Sequence, residues 1–333
     1  MQAKSKILCL SACIAVLAAV FAAATAATSG ETQTGAAAAS PAAPVTNIPN
    51  VYFTKDISSA GLTAVYDAMK WKPTGKLAIK VSTGESPRSN HLRGELIGEL
   101  VQSLKGTFVE CNTVYGGSRA SAARHMQTAK EHGFTAIANV DIQDAEGQHT
   151  LPVAGGKHLR ENYVGKSFQS YDSYLVLSHF KGHQMAGFGG ALKNISIGLA
   201  SSEGKAWIHS GGKSKTNPWG GAQNAFLESM GDASKSVIES LGSGKRLAYI
   251  NVMNRLSVDC DCNGNPTKPD MHDIGILAST DPVALDQACV DLVFAAADGK
   301  SLTERITSRN GLLTLEHSER LGLGSRKYTL INL

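Results

Sequence analysis

The sequence predicts an α/β protein, with one or more mostly parallel sheets flanked by helices, in one large domain or two closely packed lobes. Three observations predict it. Apolar runs of strand length alternate with amphipathic stretches of helical period along the body of the chain. The connections between them are short and marked by Gly, Pro or Asn, the pattern of repeated strand–helix units. The body, residues 51–333, is long enough to bury one large core.

The elements follow in order. Ser58 or Ser59 suits the cap of a helix in which Leu62, Val65, Tyr66 and Met69 recur at helical spacing. Pro73-Thr74-Gly75 turns the chain into a strand over 76–81. Asn90 is the expected cap of a second helix, with Leu92, Leu96, Leu100 and Leu104 on one stripe. A strand over 107–111 leads into a polar loop, 112–119. A helix from about Ala120 ends at Gly133, a suitable left-handed cap, and a strand over 135–140 closes this half.

The second half is less regular. Residues 174–178 form an apolar strand, followed by a glycine-rich segment up to His209. An amphipathic helix over 224–241 points Phe226, Met230, Ala233, Val237 and Leu241 inward. Strands over 247–252 and 274–278 flank a loop containing Cys260 and Cys262. Asp281-Pro282, a capping residue followed by proline at the first helical position, starts a helix reaching Phe294. Ligands of open α/β sheets collect beyond the carboxyl ends of strands. Three such ends, at 111–119, 178–183 and 252–262, carry the chemically capable side chains.

The first residues read as an export signal over 1–26. Lys4 and Lys6 precede an apolar run from Ile7 to Phe21, and Ala24-Thr25-Ala26 offers a cleavage site. Leu10-Ser11-Ala12-Cys13 offers a lipoprotein box as the rival reading, and an uncleaved anchor is a third. Residues 27–50 are rich in Ala, Thr, Ser and Pro and form a disordered linker. The expected location is therefore periplasmic or secreted, with no stable membrane span in the mature form. Removing Lys4 and Lys6 lowers the formal charge from +4 to +2, and no basic run is interleaved with aromatics, which excludes nucleic acid as a partner.

Of six cysteines, Cys9 and Cys13 leave with the signal and Cys111, Cys260, Cys262 and Cys289 stay. Four in so large a body make no disulfide scaffold. Cys260 and Cys262, with Asp259, Asp261, Asp270, His272 and Asp273 nearby, suit a soft-metal or cluster site, a disulfide, or inert thiols. Cys289 lies within a helical stretch and is expected in the core.

The densest polar stretch runs from Ser178 to Asn194. Gly187, Gly189 and Gly190 would let backbone approach a ligand or form an anion-binding nest. His179 and His183 stand at the spacing of a helical zinc pair, but Gly182 interrupts and Lys181 brings a like charge. His183, Lys193 and His209 make a better set, as ligand or proton carriers and a covalent tether or anion partner, with Trp207 a possible pocket wall. No G-x-S-x-G elbow, H-E-x-x-H pair or P-loop is present.

The stretches 178–201, Asn217-Pro218-Trp219-Gly220, Asp259-Cys260-Asp261-Cys262 and 273–289 resemble the domain-of-unknown-function 362 family over essentially the whole body. Members are often described as iron–sulfur associated because many carry a ferredoxin module; no ferredoxin-type cysteine run occurs in this sequence. His183, Lys193 and His209 are also spaced as in nickel-pincer lactate racemases. That resemblance implies that Lys193 tethers a pyridinium-derived cofactor, His209 ligates nickel and His183 moves a proton. The loop resembling the one that carries their second histidine reads Gly116-Gly117-Ser118-Arg119, placing Ser118 and Arg119 at the cofactor. A serine does not replace an imidazole as a base near neutral pH.

The expected function is a metal- or cofactor-binding protein, an oxidoreductase or isomerase of a small hydroxy or oxo acid. Catalytic roles fall to His183 and Lys193, cofactor contacts to Lys193, Gly187, Gly189, Gly190, Ser118 and Arg119, and metal ligation to His209, Cys260 and Cys262. These residues do not choose among nickel, iron and zinc. The alternatives are a non-catalytic binder of a small anion at the glycine loop, and an iron–sulfur or thiol redox partner.

Overall fold

The computed structural model describes residues 48–333. The expected signal and nearly all of the expected linker lie outside them. In chain order the first half contains β1 (Asn50–Thr54), α1 (Ser59–Ala68), β2 (Leu77–Lys80), α2 (Gly94–Ser103), β3 (Thr107–Glu110), α3 (Ala122–Glu131) and β4 (Val140–Ile142). A hairpin of β5 (Gln148–Pro152) and β6 (Glu161–Gly165) precedes β7 (Ser173–His179). Then come the short strands β8 (Lys181–His183) and β9 (Gly187–Gly189), and the helices α4 (Ala191–Ser196), α5 (Ser202–His209) and α6 (Gln223–Ser240). The chain finishes with β10 (Leu247–Met253), β11 (Gly275–Ser279), α7 (Pro282–Ala295), α8 (Lys300–Ser308), α9 (Leu312–Arg320) and β12 (Thr329–Asn332).

Eight strands form one sheet in the order β12-β1-β11-β10-β7-β2-β3-β4. Five neighbours, from β10 to β4, pair in parallel, and β11 runs antiparallel to both β1 and β10. This is a single large α/β domain with a mixed, mostly parallel sheet. Its central strands are buried on both faces, so alternate residues feed two cores. Tyr174 and Val176 join α4, α6 and α7 on one side, through Leu192, Ile195, Val237 and Val283. Leu175 and Leu177 join α1 and α2 on the other, through Leu62, Val65, Ile97 and Leu100. Among the described residues no helix is long and apolar enough to cross a membrane.

Local chemistry explains the boundaries. Ser58 caps α1 by accepting from the Gly61 amide. The second helix starts later than its leucine stripe suggests, at Gly94 and not after Asn90. The preceding segment is held irregular by tertiary bonds, from the Glu85 amide to the Asp261 carbonyl (2.7 Å) and from the Arg88 amide to the Gly264 carbonyl (3.2 Å). Leu92 is buried ahead of the helix. The strand expected over 135–140 is also displaced. After Gly133 (φ 82°) the chain makes a 3-10 turn over Phe134–Ala136 that packs Phe134 edge-on against Phe108, and pairing with β3 begins only at Val140.

The strand order places β7 on one side of β2 and β3 on the other. Chain order reverses there, and the crevice beyond the carboxyl ends of β2, β3 and β7 is the topological switch point, where such sheets bind ligands.

Asp281 caps α7 through bonds from the Val283 and Ala284 amides (2.9 Å each) and also accepts from the Ser325 amide (3.0 Å). Asp281→Ala is expected to cost about 1–2 kcal/mol and Asp281→Asn much less. Urea unfolding checks this, with the midpoint lowered and the slope unchanged.

Candidate functional site

A cavity of about 80 Å³ opens at the switch point. It is built from the ends of β2 (Lys80, Ser82), β3 (Glu110, Cys111) and β7 (Ser178, His179), from the hairpin and α4 beyond β7, and from the Cys260–Cys262 loop beyond β10. Close backbone approach brings the last two together: the Gly182 amide donates to the Ser257 carbonyl (2.8 Å), and a Cβ on Gly182 would lie 2.4 Å from the Val258 carbonyl oxygen.

The floor is a buried ion network. The Lys80 ammonium donates to Glu110 Oε2 and to Asn194 Oδ1, each at 3.0 Å. Glu110 Oε1 accepts from the Thr83 amide (2.9 Å) and from Arg119 (3.3 Å). Burial alone pushes the Glu110 carboxyl up, but Lys80, Arg119 and His125 outweigh it and hold the pKa at about 2. A second carboxylate, Asp261, lies 2.9 Å from His179 Nδ1 and 3.0 Å from Lys181 Nζ. Burial opposes its charge as well, yet Lys181 and His179 drive its pKa far below the usual range.

Five cations, Lys80, Arg119, Lys181, Lys193 and Lys205, line this cavity against Glu110 and Asp261. The two carboxylates take Lys80, Arg119 and Lys181. Lys205 donates to the carbonyls of Ala200 (2.6 Å) and Cys111 (3.3 Å). Among the described residues none accepts a hydrogen bond from the Lys193 amine. Burial first, then Lys181, Lys205, Arg119 and Lys80, push Lys193 down to about 7. A cavity with surplus positive charge and one unpaired amine attracts a small anion and offers it a nucleophile.

Two imidazoles stand near this amine with opposite tautomers. His183 Nδ1 accepts from the Met185 and Ala186 amides (3.1 and 2.9 Å), so the proton of the neutral ring rests on Nε2. Burial, then Lys193 and His209, keep the His183 pKa well below its ordinary value. His209 Nδ1 donates to the Lys205 carbonyl (2.7 Å), which leaves a lone pair on Nε2. That lone pair accepts from the Tyr115 hydroxyl at 2.7 Å.

The structure therefore brings His183, Lys193, Gly189, Gly190, Arg119, Cys260 and Cys262 to one cavity and sets the other expected residues apart. His209 lies behind Tyr115, stacked on Phe226 at 4.7 Å. Ser118 turns outward, its hydroxyl accepting from the Ser86 amide (3.1 Å). Gly187 packs against Ile306 and Gly311. Trp207 is no pocket wall: its indole donates to the Glu161 carbonyl and its ring meets Tyr163. His179 has both nitrogens engaged, by Asp261 and by the Asn254 carbonyl, and forms no metal pair with His183. The glycine loop is no free anion nest either, because the first amides of α4, Ala191 and Leu192, donate to the Asp286 carboxylate (2.7 and 2.9 Å). Cys289 is buried in the core as expected.

His183, Cys260 and Cys262 form a candidate metal-binding cluster, with one ligand atom of each within 4.8 Å of the others. Two sulfurs and an imidazole suit a soft or borderline metal. The two sulfurs are joined as a disulfide here, so this donor set exists only in the reduced protein. A metal at His183 Nε2 would displace the proton held there.

Lys80, Glu110, Asn194 and Tyr115 carry the site without any motif to signal them. The available hint is that a lysine and a glutamate end two otherwise apolar strand runs, at the edge where ligands bind.

These features define an α/β domain with a charged cavity at its switch point and a cysteine–histidine cluster in the cavity wall. The chain belongs to the family described as Domain of unknown function (DUF362), whose model matches residues 77–291. No curated protein matches the sequence. Among solved structures, the chain is similar to the lactate racemase apoprotein from Thermoanaerobacterium thermosaccharolyticum. That likeness has a TM-score of 0.42 and 13% identity, and covers 73% of this chain and 56% of the other. A structural-genomics protein from Thermotoga maritima is similar with a TM-score of 0.40 and 14% identity, over 69% of this chain and 57% of the other. The chain thus spans little more than half the length of either.

Glu110→Gln removes the one carboxylate shared by Lys80 and Arg119, and an expected loss of about 3–5 kcal/mol follows from leaving buried charge unpaired. Adding Lys80→Met should recover part of it. Because the folded pKa of Glu110 lies below its ordinary value of 4.5, its contribution is complete above that pH and is lost as the pH falls toward 2. Denaturant unfolding across that window should therefore show a shallower acid dependence in Glu110→Gln than in wild type.

Proposed function

We propose that this protein is an exported enzyme that binds a metal or cofactor and moves a proton or hydride on a small hydroxy or oxo acid. The observation that carries the reading is the unpaired amine of Lys193, enclosed with four other cations in a cavity sized for a small molecule. The surplus charge favours a carboxylate. Lys193, near half-neutral at pH 7, can attack a carbonyl or carry a covalently attached group. His183 presents an uncharged Nε2–H to the same space as a hydrogen-bond donor, and the Lys193 amine is the group there able to take up a proton near neutral pH. The Cys260, Cys262 and His183 donors are the residues that would hold a metal, which would supply Lewis-acid or redox chemistry when bound. Ser118 faces away, and Tyr115, whose hydroxyl donates to the His209 lone pair, is the hydroxyl that the β3 loop adds to the cavity wall. The spacing shared with nickel-pincer racemases supports an isomerase over a hydrolase.

Two measurements test this. Protein purified from its native host should show either a mass adduct mapping to Lys193 or stoichiometric metal, and unmodified, metal-free protein in the reduced state counts against the reading. Treatment with glyoxylate and cyanoborohydride should alkylate Lys193 with a rate that rises through a midpoint near pH 7. Ordinary lysines have a pKa of about 10.4. Lys193→Met should abolish that fast phase. A uniform rate over all lysines, with no midpoint near 7, would contradict a free amine in the cavity.

A further inference from the structure

We propose that the Cys260–Cys262 disulfide is a redox-active bond opened by a small dithiol, and that its reduction completes the His183/Cys260/Cys262 metal site. The inference rests on the metal-binding part of the reading above and names how that site is controlled.

Four observations carry it. The bond lies in the cavity wall, and its two sulfurs are unequal: Cys260 is 5% exposed, whereas Cys262 is open to solvent. It spans a single intervening residue, so it closes a minimal loop and removes little entropy from the unfolded chain. The loop is held without it. The Asp261 carboxylate binds His179 and Lys181, the Asp261 carbonyl accepts from the Glu85 amide, and Arg305 donates to the Val258 carbonyl (2.6 Å). A structural staple is therefore not needed here. Finally, the sulfurs that bond each other are the same two that converge with His183 as metal donors, so the two states exclude one another.

The exchange balances without any further reactant. A thiolate of the dithiol attacks the accessible Cys262 Sγ, the bond to Cys260 breaks, and Cys260 leaves as a thiolate beside His183. The second thiol of the reagent then attacks the mixed disulfide and releases Cys262. The dithiol is oxidised to its cyclic disulfide, the protein bond gains two electrons, and two protons pass to the cysteine sulfurs. A divalent metal then displaces those protons into solvent. Cys289 is buried in the core, and the Cys111 thiol, although it lines the same cavity, is buried and donates to the Leu199 carbonyl, so neither takes part.

The test uses the full chain and cobalt(II) as the metal probe, whose thiolate charge-transfer absorption reports sulfur ligation directly. Oxidised protein and protein reduced with dithiothreitol, then desalted without oxygen, are compared at equal concentration. Thiols are counted under native conditions and mapped by alkylation and mass. The expected result is two new thiols, at Cys260 and Cys262, and about one equivalent of cobalt bound with the thiolate band only after reduction. Reoxidation should remove both. Cobalt bound equally by the oxidised chain would overturn the redox control while leaving the metal site standing. Two thiols released but no cobalt bound by either form would overturn the metal site and its control together. A disulfide that yields to dithiothreitol only in denaturant would overturn the exchange itself.

Discussion

Glu110 ends β3 almost wholly shielded from water, and an unpaired carboxylate in that position would cost more than a domain of this size can spare. Lys80, Arg119 and the Thr83 amide remove that cost, and in doing so they decide where the cavity is. Lys80 belongs to β2, so the pair locks the ends of two neighbouring strands. Arg119 belongs to the loop after β3, so its contact folds that loop back over the strand ends and fixes Tyr115 within it. Lys80 also reaches Asn194, which donates in turn to the Leu177 carbonyl and the Ser178 hydroxyl. The first helix beyond the glycine hairpin is thereby tied to β7. Lys193 is the residue next to that tie, and its direction into the cavity is a consequence of the network below it.

The same network explains why Lys193 is the reactive candidate among five cations. Each carboxylate in the wall is already engaged with nearer partners, and Lys205 is satisfied by two backbone carbonyls. A cation left over in such a place loses hydration without gaining a counter-ion, which favours its neutral form. Surplus positive charge around it acts in the same direction and at the same time draws in anions. Placing the amine in an electropositive and partly closed space therefore produces a neutral amine fraction and attraction for anions together.

Much of the fold was readable because its strands and helices obey their own periods. The core faces of α1, α6 and α7 and the two caps at Ser58 and Asp281 follow from local sequence alone. The misplaced boundaries lie where tertiary contacts overrule propensity: the segment before α2 is pinned to the Cys260–Cys262 loop, and Phe134 leaves the strand path to meet Phe108. In the site, His183, Lys193 and the cysteine pair were legible as unusual residue types in a dense polar stretch. Orientation was not. Ser118 and Arg119 are adjacent, yet one faces out and the other in, and no pattern of a loop distinguishes them. Nor could spacing show that the lone pair of His209 is already met by Tyr115, because those residues are distant in sequence and joined only by packing on Phe226 and the turn of the β3 loop.

The two imidazoles give the site its direction. Both are held neutral by burial, but backbone groups fix their tautomers oppositely: amides on Nδ1 make His183 a donor through Nε2, and a carbonyl on Nδ1 makes His209 an acceptor through Nε2. Tyr115 covers the second and presents its own hydroxyl oxygen at the cavity wall, where burial raises its pKa and keeps its proton in the bond to His209. The cavity wall thus offers a hydrogen-bond donor at His183 Nε2 and an acceptor oxygen at Tyr115, with no net charge introduced by either. A cavity whose fixed groups carry surplus positive charge gains from this arrangement, since an imidazolium in the same space would add to the burial and repulsion that already lower the Lys193 pKa. Neutral hydrogen-bonding groups are thus what the cation surplus requires, and the backbone, through three groups that mutation of side chains cannot remove, is what fixes them.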